Sequence, residues 1–404
     1  MLFIGLTVSA EEIIKDRKIL KREAFLNLSK GGYLISKVTI MFVLSAIQTI
    51  CLVLVGNSIL ELHGMTADYW MVLFSAACFA NMLGLNISSA FNSAVTIYIL
   101  IPFILIPQLL FSGVMVKFDK LNPAIIVYNS VPVIGELMVT RWAYEAMSVN
   151  QYKTNNYEKH FYKYDKEKSI ADFKKNYWIP ALKTKIEDCI KNYNDPDKKE
   201  QLTNDLKLLT EELSVGGITV GGSGIFSKSN LDSLNISSFN IETGKQLRNY
   251  LESLYQYYIG RYNSISKTKN LLISKMNDTE EKRKLFLKVK DAYENEALTD
   301  LVVNKSEVDH IIEVNNELVQ QADPIYLDPV KSGNVRAHFF APRKKLLGNL
   351  YDTYWINIMI IWLMSLFLAI TLYFDLFRKF IDSTGNLFGN IGKIFSFSKN
   401  SARG

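Results

Sequence analysis

The residues of this sequence whose types could support chemistry form two sets, a glycine-rich stretch and four histidines. Residues 214–226, SVGGITVGGSGIF, have the glycine content of a phosphate-binding loop. No Lys-Ser or Lys-Thr pair stands where such a loop requires it, so a flexible linker is the favoured interpretation. The histidines have neither metal-ligand spacing nor a nearby cysteine partner; they are His63, His160, His310 and His338. Since no nucleophile, base and orienting residue are grouped either, we predict no catalytic residue and no metal site.

Polar side chains within otherwise apolar stretches could support a different chemistry, hydrogen bonding away from water. These uncharged residues are Gln48, Thr49, Asn57, Asn81, Asn86 and Gln108. Because lipid offers no hydrogen bond, each is expected to bond to a neighbouring helix or to line a hydrated path. For any single one of them, the bond between helices is the favoured interpretation.

Four stretches with almost no charge must position these side chains, and each predicts a helix that crosses a membrane. They are residues 35–59, 69–87, 94–116 and 354–374. The third contains Pro102 and Pro107, which free backbone carbonyls and so favour a helix packed in a bundle over a simple anchor. One face of this helix carries Pro102, Ile106, Leu109 and Gly113 at helical spacing. Spacing alone leaves open whether that face meets a cavity or another helix.

Averages over the chain conceal this membrane pattern. Of 404 residues, 49% are hydrophobic and 21% are charged, as in a soluble protein, but the charge is concentrated at the ends and in residues 117–345. The net charge of +6 forms no compact basic stripe interleaved with aromatic residues, so we predict no nucleic-acid partner. Cys189 is the only cysteine of the polar region, which excludes an intrachain disulfide there.

Charge beside the apolar stretches predicts the orientation of the chain. Residues 11–28 combine apolar residues at near-helical spacing with many lysines and arginines, which predicts an amphipathic helix at the cytoplasmic face. Arg378, Lys379 and the basic residues after them place the C-terminal tail in the cytoplasm as well. Following the helices from either end puts residues 117–345 outside. We therefore predict a multi-pass protein of the inner or plasma membrane with both flanking ends cytoplasmic.

The predicted fold is an α-helical membrane protein with a large, mostly helical external insert. Residues 1–10 are apolar but too short to span a membrane, and we interpret them as the remnant of a transmembrane helix, with a short interfacial N-terminus as the alternative. The remaining domains are a cytoplasmic region at 11–34, three transmembrane helices at 35–116, re-entrant or interfacial helices at 117–151, the external helical domain at 152–345, the final transmembrane helix at 346–377 and the cytoplasmic tail at 378–404.

Three motifs, in this order, resemble the membrane domain of white/ABCG-type ABC transporters. Residues 21–37, KREAFLNLSKGGYLISK, are similar to the arginine-glutamate stretch before that family's third membrane helix. The second and third motifs resemble the end of the family's fifth helix and the short stretch after its re-entrant helices; they contain Phe111, Ser112 and Gly113, and Arg141, Trp142, Tyr144 and Glu145. The order of elements is also similar, with a long external loop before a final helix and a short tail.

The resemblance implies a type-2 ABC exporter permease that works as a homodimer among membrane lipids and moves an amphipathic or lipid-like substrate. ATP and Mg would bind to a cassette outside this sequence, with residues 11–28 as the coupling helix that contacts it. The implied coupling residues are Glu11, Glu12, Arg17, Arg22 and Glu23. The implied transport path comprises Pro102, Ile106, Leu109, Val114 and Met115, of which the last two replace the leucines of the family's apolar plug.

Two departures from the family pattern support other hypotheses. The cassette, the first helix and most of the second are outside this sequence, so we expect a fragment or a split gene product that is not an enzyme by itself and transports nothing alone. Residues 152–345 are far longer than the family's usual loop and lack its cysteines. That length favours the competing hypothesis of a non-transporting membrane receptor or scaffold whose external domain binds a partner. An ATP-binding cassette encoded just upstream would favour the exporter.

Overall fold

A computed structural model of the chain describes residues 1–23, 29–122, 127–128, 130–216, 234–235, 238–329 and 335–383, without the side chains of Lys21, Glu23 and Asp119. The chain forms two compact units. The first comprises Met1–Ile126, Val131–Met147 and Tyr351–Gly404, and the second comprises Val127–Ser130 and Ser148–Leu350. Most of the predicted glycine-rich linker lies outside the described residues, as do residues 24–28 of the predicted amphipathic segment.

The two units are built mainly from helices. In chain order the helices are α1 Leu2–Ser9, α2 Glu12–Glu23, α3 Lys30–Ile59, α4 Thr66–Ala90, α5 Ala94–Leu110, α6 Val133–Glu136, α7 Val139–Thr154, α8 Tyr162–Phe173, α9 Ile179–Lys191, α10 Lys199–Gly216, α11 Ile241–Met276, α12 Glu280–Tyr293, α13 Glu296–Val303 and α14 Thr353–Tyr373. The strands are β1 Ile311–Val314, β2 Glu317–Gln320, β3 Arg343–Leu346 and β4 Asn349–Asp352.

Membrane-spanning helices belong to the first unit. Among the described residues, α3, α4 and α14 are long and apolar enough to cross a membrane, while α5 is apolar but shorter. α3 begins five residues before the predicted stretch because Ser29 caps it, accepting a hydrogen bond from the Gly32 amide at 3.2 Å. α4 and α14 lie close to their predicted positions.

α5 ends at Leu110, six residues before the end of the stretch that the sequence predicts to be helical. The Ser112 hydroxyl donates to the Leu109 carbonyl at 2.7 Å and accepts from the Val114 amide at 3.2 Å, which closes a turn. Gly113 has a φ of 81°, a left-handed conformation that ends a helix. The predicted face that extends the helical spacing to Gly113 is therefore wrong at its last residue.

α4 lies at the centre of the first unit, and most of its length is buried. Close approach of α1 to α4 depends on two glycines. A Cβ at Gly84 would lie 2.0 Å from Ser9 Oγ and 3.0 Å from the Leu6 carbonyl oxygen, and one at Gly5 would lie 2.9 Å from Ala80 Cβ. Small residues at such positions let membrane helices pack backbone against backbone.

The second unit has its own apolar core, built where α8 to α11 pack together. Its core residues include Trp178, Leu182, Leu206, Leu209, Leu247, Leu251 and Leu254. The Glu212 carboxylate is buried in this core, where it accepts hydrogen bonds from Trp178 Nε1 at 2.8 Å and from the Leu318 amide of β2 at 3.2 Å. These bonds compensate part of the cost of burying a charged group. α11, 36 residues long, contributes Leu247, Leu251 and Leu254 to this core.

Two short β-hairpins in this part of the chain have no counterpart in the predicted helical domain. β1 pairs antiparallel with β2, with Ile312 opposite Val319. β3 and β4 form the second sheet, and the two residues between them, Leu347 and Gly348, have φ values of 50° and 90°. Two successive positive φ values are typical of the type I′ turn, whose twist matches that of a hairpin. β4 ends at Asp352, directly before α14 begins.

Candidate functional site

α2 is capped at its N-terminus by a side chain of α4. The first amides of a helix have no partner within that helix, and here the Ile13 and Ile14 amides donate to Ser88 Oγ at 3.0 and 3.1 Å. Ser88 is fully buried in the last turn of α4. A cap supplied by another helix fixes the start of α2 to α4, so displacement of α2 must strain that joint.

Further contacts connect the start of α2 to α4 and α5. Arg17 Nη2 donates to the Ser89 carbonyl oxygen at 2.9 Å, near the C-terminus of α4, where a cation is favoured. The Tyr98 hydroxyl of α5 donates to the carboxylate of Glu11, which also forms an ion pair with Lys15 at 2.9 Å. Hydrogen bonds from Lys15 and then from Tyr98 hold the pKa of Glu11 below its ordinary value.

α3 holds α2 through Lys37. Its Nζ lies 2.9 Å from Glu12 Oε2 and 2.7 Å from Asp16 Oδ2. The Tyr33 hydroxyl donates to the same oxygen of Asp16 at 3.0 Å. Burial opposes the ionisation of Asp16, but the Lys37 and Tyr33 hydrogen bonds outweigh it and hold the pKa of Asp16 below its ordinary value. We call the groups that hold α2, from Tyr33, Lys37, Ser88, Ser89 and Tyr98, the α2 clasp.

The other face of α2 is open to solvent. Its exposed residues are Lys15, Lys18, Ile19 and Arg22, which follow the i, i+3, i+4, i+7 spacing of one helix face. Apolar residues on the inward side join the core of the unit, where Ile13 packs with Leu34 and Met82. Among the described side chains of α2, three cations and one isoleucine therefore face outward, while Glu12 and Asp16 are held inward by Lys37.

The predicted coupling residues divide between these two faces. Glu11, Glu12 and Arg17 bind within the first unit, as part of the contacts to the clasp. Arg22 lies on the open face. Glu23 is the last residue of α2, and its side chain lies outside the described residues. Tyr33 and Lys37 lie within the first family motif, whereas Ser88, Ser89 and Tyr98 escape a motif-based search because polar residues within apolar stretches give no sign of their partners.

Two of the polar residues at membrane depth join neighbouring helices of the bundle. Asn81 Nδ2 of α4 donates to Ser45 Oγ at 2.7 Å and to the Met41 carbonyl at 3.2 Å, both in α3. Asn86 Nδ2 donates to the Leu368 carbonyl of α14 at 2.9 Å, and the Thr371 hydroxyl donates back to Asn86 Oδ1 at 2.9 Å. For Asn81 and Asn86 these bonds agree with the favoured interpretation, a bond between helices.

Gln108 and Asn57 also form bonds between helices, in both cases near helix ends. Gln108 Oε1 of α5 accepts from the Thr140 amide of α7 at 3.3 Å, and the Thr140 hydroxyl donates to the Gln108 carbonyl. Asn57 Nδ2 of α3 donates to Thr66 Oγ1 of α4 at 3.2 Å. Thr49 bonds instead within its own helix, to the Ser45 carbonyl at 2.7 Å. Gln48 is half-buried in α3.

The predicted path residues all lie on an exposed side of α5 and of the turn after it. They are Pro102, Ile106 at 53% exposed, Leu109 at 57%, Val114 at 45% and Met115 at 72%. Ile97, Ile101 and Gln108 form the opposite, buried side of the helix. Pro102, Ile106 and Leu109 thus share one exposed face of α5, and Val114 and Met115 are exposed after the turn that ends it.

Residues of the third motif form a buried ionic cluster with two partners that the sequence analysis did not identify. Arg141 is fully buried, with Nη1 3.4 Å from Glu136 Oε2 and 3.5 Å from Glu145 Oε2. Asn357 Nδ2 of α14 donates to Glu145 Oε2 at 2.8 Å and to the Trp142 carbonyl at 3.0 Å. The cluster joins α6, α7 and α14. Buried charges of this kind are costly unless they are paired, so the cluster fixes one arrangement of these helices.

The remaining residues of the third motif are Trp142 and Tyr144. The Arg141 guanidinium lies over the Trp142 ring, 4.0 Å from its centroid, and Trp142 Nε1 donates to the Glu136 carbonyl at 2.8 Å. Tyr144 is half-buried on α7. Phe111, Ser112 and Gly113 of the second motif form the turn that ends α5. In these positions, the residues of both motifs have structural roles: the second motif ends α5, and the third joins α6, α7 and α14.

Comparison with known proteins identifies the membrane part of the chain. Residues 1–152 match the family described as ABC-2 type transporter. No curated protein and no solved structure matches the chain. The matched residues contain α1 to α5 and the buried motif residues of α7. ABC-2 membrane domains are the membrane part of ABC transporters and work with ATP-binding cassette components. The match over residues 1–152 is to an ABC-2 type membrane domain, and together with the apolar helices it indicates that the chain is an integral membrane protein.

Proposed function

We propose that this chain is the permease part of an ATP-driven exporter of the white/ABCG kind, with ATP hydrolysed on a cassette outside residues 1–404. The observation that carries the proposal is the α2 clasp. An amphipathic, charged helix is held at one face by side chains from α3, α4 and α5, while its other face is open. In that arrangement, α2 would transmit movement from a protein bound to its open face to the membrane helices.

The contacts of α2 suggest how a push would pass to the bundle. The Ser88 cap and the Arg17 bond act on the end of α4, and the Lys37 pairs act on α3. The Tyr98 bond to Glu11 acts on α5 near its N-terminus. Because polar contacts of defined geometry resist sliding more than apolar ones, movement of α2 would tilt these helices together rather than slip past them.

The cassette would bind to the open face of α2. Lys15, Lys18 and Arg22 give that face a positive charge around Ile19, so the partner surface is expected to be acidic around an apolar pocket. This assigns binding to Arg22 among the implied coupling residues. Glu11, Glu12 and Arg17 would instead transmit movement, because they bind within the first unit.

The exposed side of α5 is our proposed translocation surface. Pro102, Ile106, Leu109, Val114 and Met115 are apolar, and a second copy facing them would enclose an apolar cavity. An apolar lining suits an amphipathic or lipid-like substrate. Pro102 and Pro107 remove two backbone donors within α5, which makes this helix easier to bend than its neighbours.

Crosslinking from the open face of α2 tests this proposal. A photo-reactive amino acid is placed at Arg22, and a control at the exposed Glu61, in the loop that joins α3 to α4. After irradiation in the native membrane, the products are identified by mass spectrometry. We expect Arg22 alone to capture a protein that carries an ATP-binding cassette. Crosslinks to lipid or to proteins that bind no nucleotide would contradict the proposal.

The receptor or scaffold hypothesis draws on one observation. The second unit has its own core around Trp178, Leu206 and Leu251, so it can present a stable surface to a partner. The receptor or scaffold hypothesis accounts less well for the α2 clasp and for the ABC-2 match. Purification of the chain with a cassette whose ATP hydrolysis responds to substitutions in the clasp would exclude a purely non-transporting role.

A further inference from the structure

The turn between β3 and β4 presents a leucine to solvent. Leu347 is 93% exposed, the next residue of the turn is Gly348, and Leu350 on β4 is 40% exposed. No polar side chain occupies the two-residue tip. Hairpin tips in soluble proteins are normally polar, so an apolar tip needs a reason of its own.

The backbone conformation at Leu347 is also unfavourable for a leucine. Its φ of 50° lies in the left-handed region, which asparagine, aspartate and glycine occupy at lower cost than leucine. Type I′ turns prefer those residues for the same reason. Leucine at position 347 therefore stabilises the turn neither through its backbone conformation nor through burial of its side chain. A contact made outside the chain by its side chain would compensate for both costs.

The tip is joined to the membrane by a short piece of chain. β4 ends at Asp352, and α14 begins at Thr353 as a helix that is long and apolar enough to span a membrane. Thr353 is six residue steps along the chain from Leu347, so the tip stays within about 20 Å of the start of α14 at 3.3 Å per extended residue. Trp355, in the first turn of α14, is 60% exposed, as expected for a residue at a membrane interface.

The small size of the tip favours lipid over protein as its partner. A stable protein interface buries roughly 800 Å² on each side, far more than one leucine and a glycine can offer. Transfer of a single leucine side chain to the acyl boundary of a bilayer needs no such area, because the short chain segment between Leu347 and α14 keeps its effective concentration at the membrane high. Lys345, half-buried on β3, could accompany the tip with a charge that suits lipid phosphate.

We propose that the β3–β4 turn inserts Leu347 into the headgroup and acyl boundary of the leaflet at which α14 begins. The turn acts there as a second, reversible membrane contact for the chain beside α14. This role is independent of the transport function proposed above, and it would hold equally for a receptor.

An environment-sensitive fluorophore attached at the tip tests the insertion. In the full chain, the exposed Cys51 is replaced by serine, while Cys78 and Cys189 are buried and remain. Leu347→Cys and, as a control, Val308→Cys are labelled with a nitrobenzoxadiazole dye in lipid nanodiscs. Val308 is 84% exposed but lies between α13 and β1, far along the chain from α14. Quenching by brominated lipid and by aqueous iodide is then compared.

Insertion predicts a blue-shifted label at Leu347 that brominated lipid quenches at least twofold more than the label at Val308. Equal quenching of both labels by iodide, with no effect of brominated lipid, would overturn the proposal. A blue shift that brominated lipid does not affect would also overturn it, because it would indicate a protein contact such as a second copy. As a further check, Leu347→Asn should leave thermal stability unchanged or higher, since asparagine accepts the turn, while a dye placed at Leu350→Cys in that variant should lose lipid quenching.

Discussion

The hydroxyl of Ser88, in the last turn of α4, accepts a hydrogen bond at 3.0 Å from the backbone amide of Ile13, near the start of α2. A helix that is capped by a distant residue depends on that residue for its stability. Caps of this type stabilise a helix by about 1 kcal/mol, so the start of α2 depends on a residue of α4. The same joint supports the proposed coupling function.

Removal of this cap should loosen α2. We expect Ser88→Ala to increase hydrogen exchange at the first amides of α2 about fivefold, the equivalent of about 1 kcal/mol. Ser58→Ala is the matched control, because that serine is exposed on α3 and bonds only to the Leu54 carbonyl of its own helix. Exchange in α2 that is unchanged by Ser88→Ala would show that Ser88 is not its cap.

The contact between α1 and α4 should tolerate no side chain at Gly84. A methyl group there would lie 2.0 Å from Ser9 Oγ and would also press on the backbone of α1, so Gly84→Ala should lower the free energy of unfolding by about 1–3 kcal/mol or more. Gly56→Ala provides the control, because nothing lies within 4 Å of the added atom. It should be neutral or stabilising by up to about 1 kcal/mol. Thermal unfolding of the purified Gly84→Ala and Gly56→Ala variants measures both effects. Equal unfolding midpoints for the two variants would contradict the close packing of α1 against α4.

The buried ionic cluster should be sensitive to the loss of its cation. Arg141→Ala leaves the carboxylates of Glu136 and Glu145 without their closest positive charge, and we expect a loss of about 3–5 kcal/mol of stability. Combination with Glu145→Gln should restore part of it, since one buried negative charge is removed. Unfolding of the two single variants and the double variant measures the coupling. Strictly additive losses would mean that the two side chains do not interact.

The second unit should lose stability as the pH rises toward neutrality. Burial, followed by the carboxylates of Asp165 and Glu294, raises the pKa of Glu158 to about 7, against the attraction of Lys269. Between its ordinary value of 4.5 and about 7, the folded chain keeps a proton that the unfolded chain has released. The free energy of unfolding therefore falls across that window, by at most about 1.4 kcal/mol for each pH unit.

Hydrogen exchange around Glu158, corrected for intrinsic rates, measures this pH dependence in the full chain. Glu158→Gln should flatten it, while Glu200→Gln, at an exposed position, should leave it intact. A slope that persists in Glu158→Gln would assign the effect to another group.

Much of the membrane part could be predicted from the sequence, because a charge-free apolar run of helix length is rare outside membrane-spanning segments. α3, α4 and α14 follow from that signal, and α2 from charge interspersed with apolar residues. The end of α5 could not, since Phe111 and Val114 are as apolar as the helix before them and only the φ of Gly113 marks the turn. Glu136 and Asn357, which contact Arg141 and Glu145 in the buried cluster, lie far from each other in sequence. Residue spacing therefore does not indicate that they belong to one cluster. The β-hairpins escape sequence-based prediction because their strands are four residues long.

The central claim is that α2 passes movement to the translocation surface of α5, and the accessibility of Leu109 tests it most directly. Leu109→Cys is introduced with Cys51→Ser into the complex with its cassette, and its reaction with a membrane-impermeant thiol reagent is followed with and without ATP, Mg and vanadate. The account predicts that nucleotide changes the rate severalfold, and that Tyr98→Phe, which removes the bond from α5 to Glu11, reduces the change without preventing assembly. Val308→Cys, an exposed position of the second unit, should not respond. A Leu109→Cys rate that is the same with and without nucleotide, in a complex that hydrolyses ATP, would contradict the account.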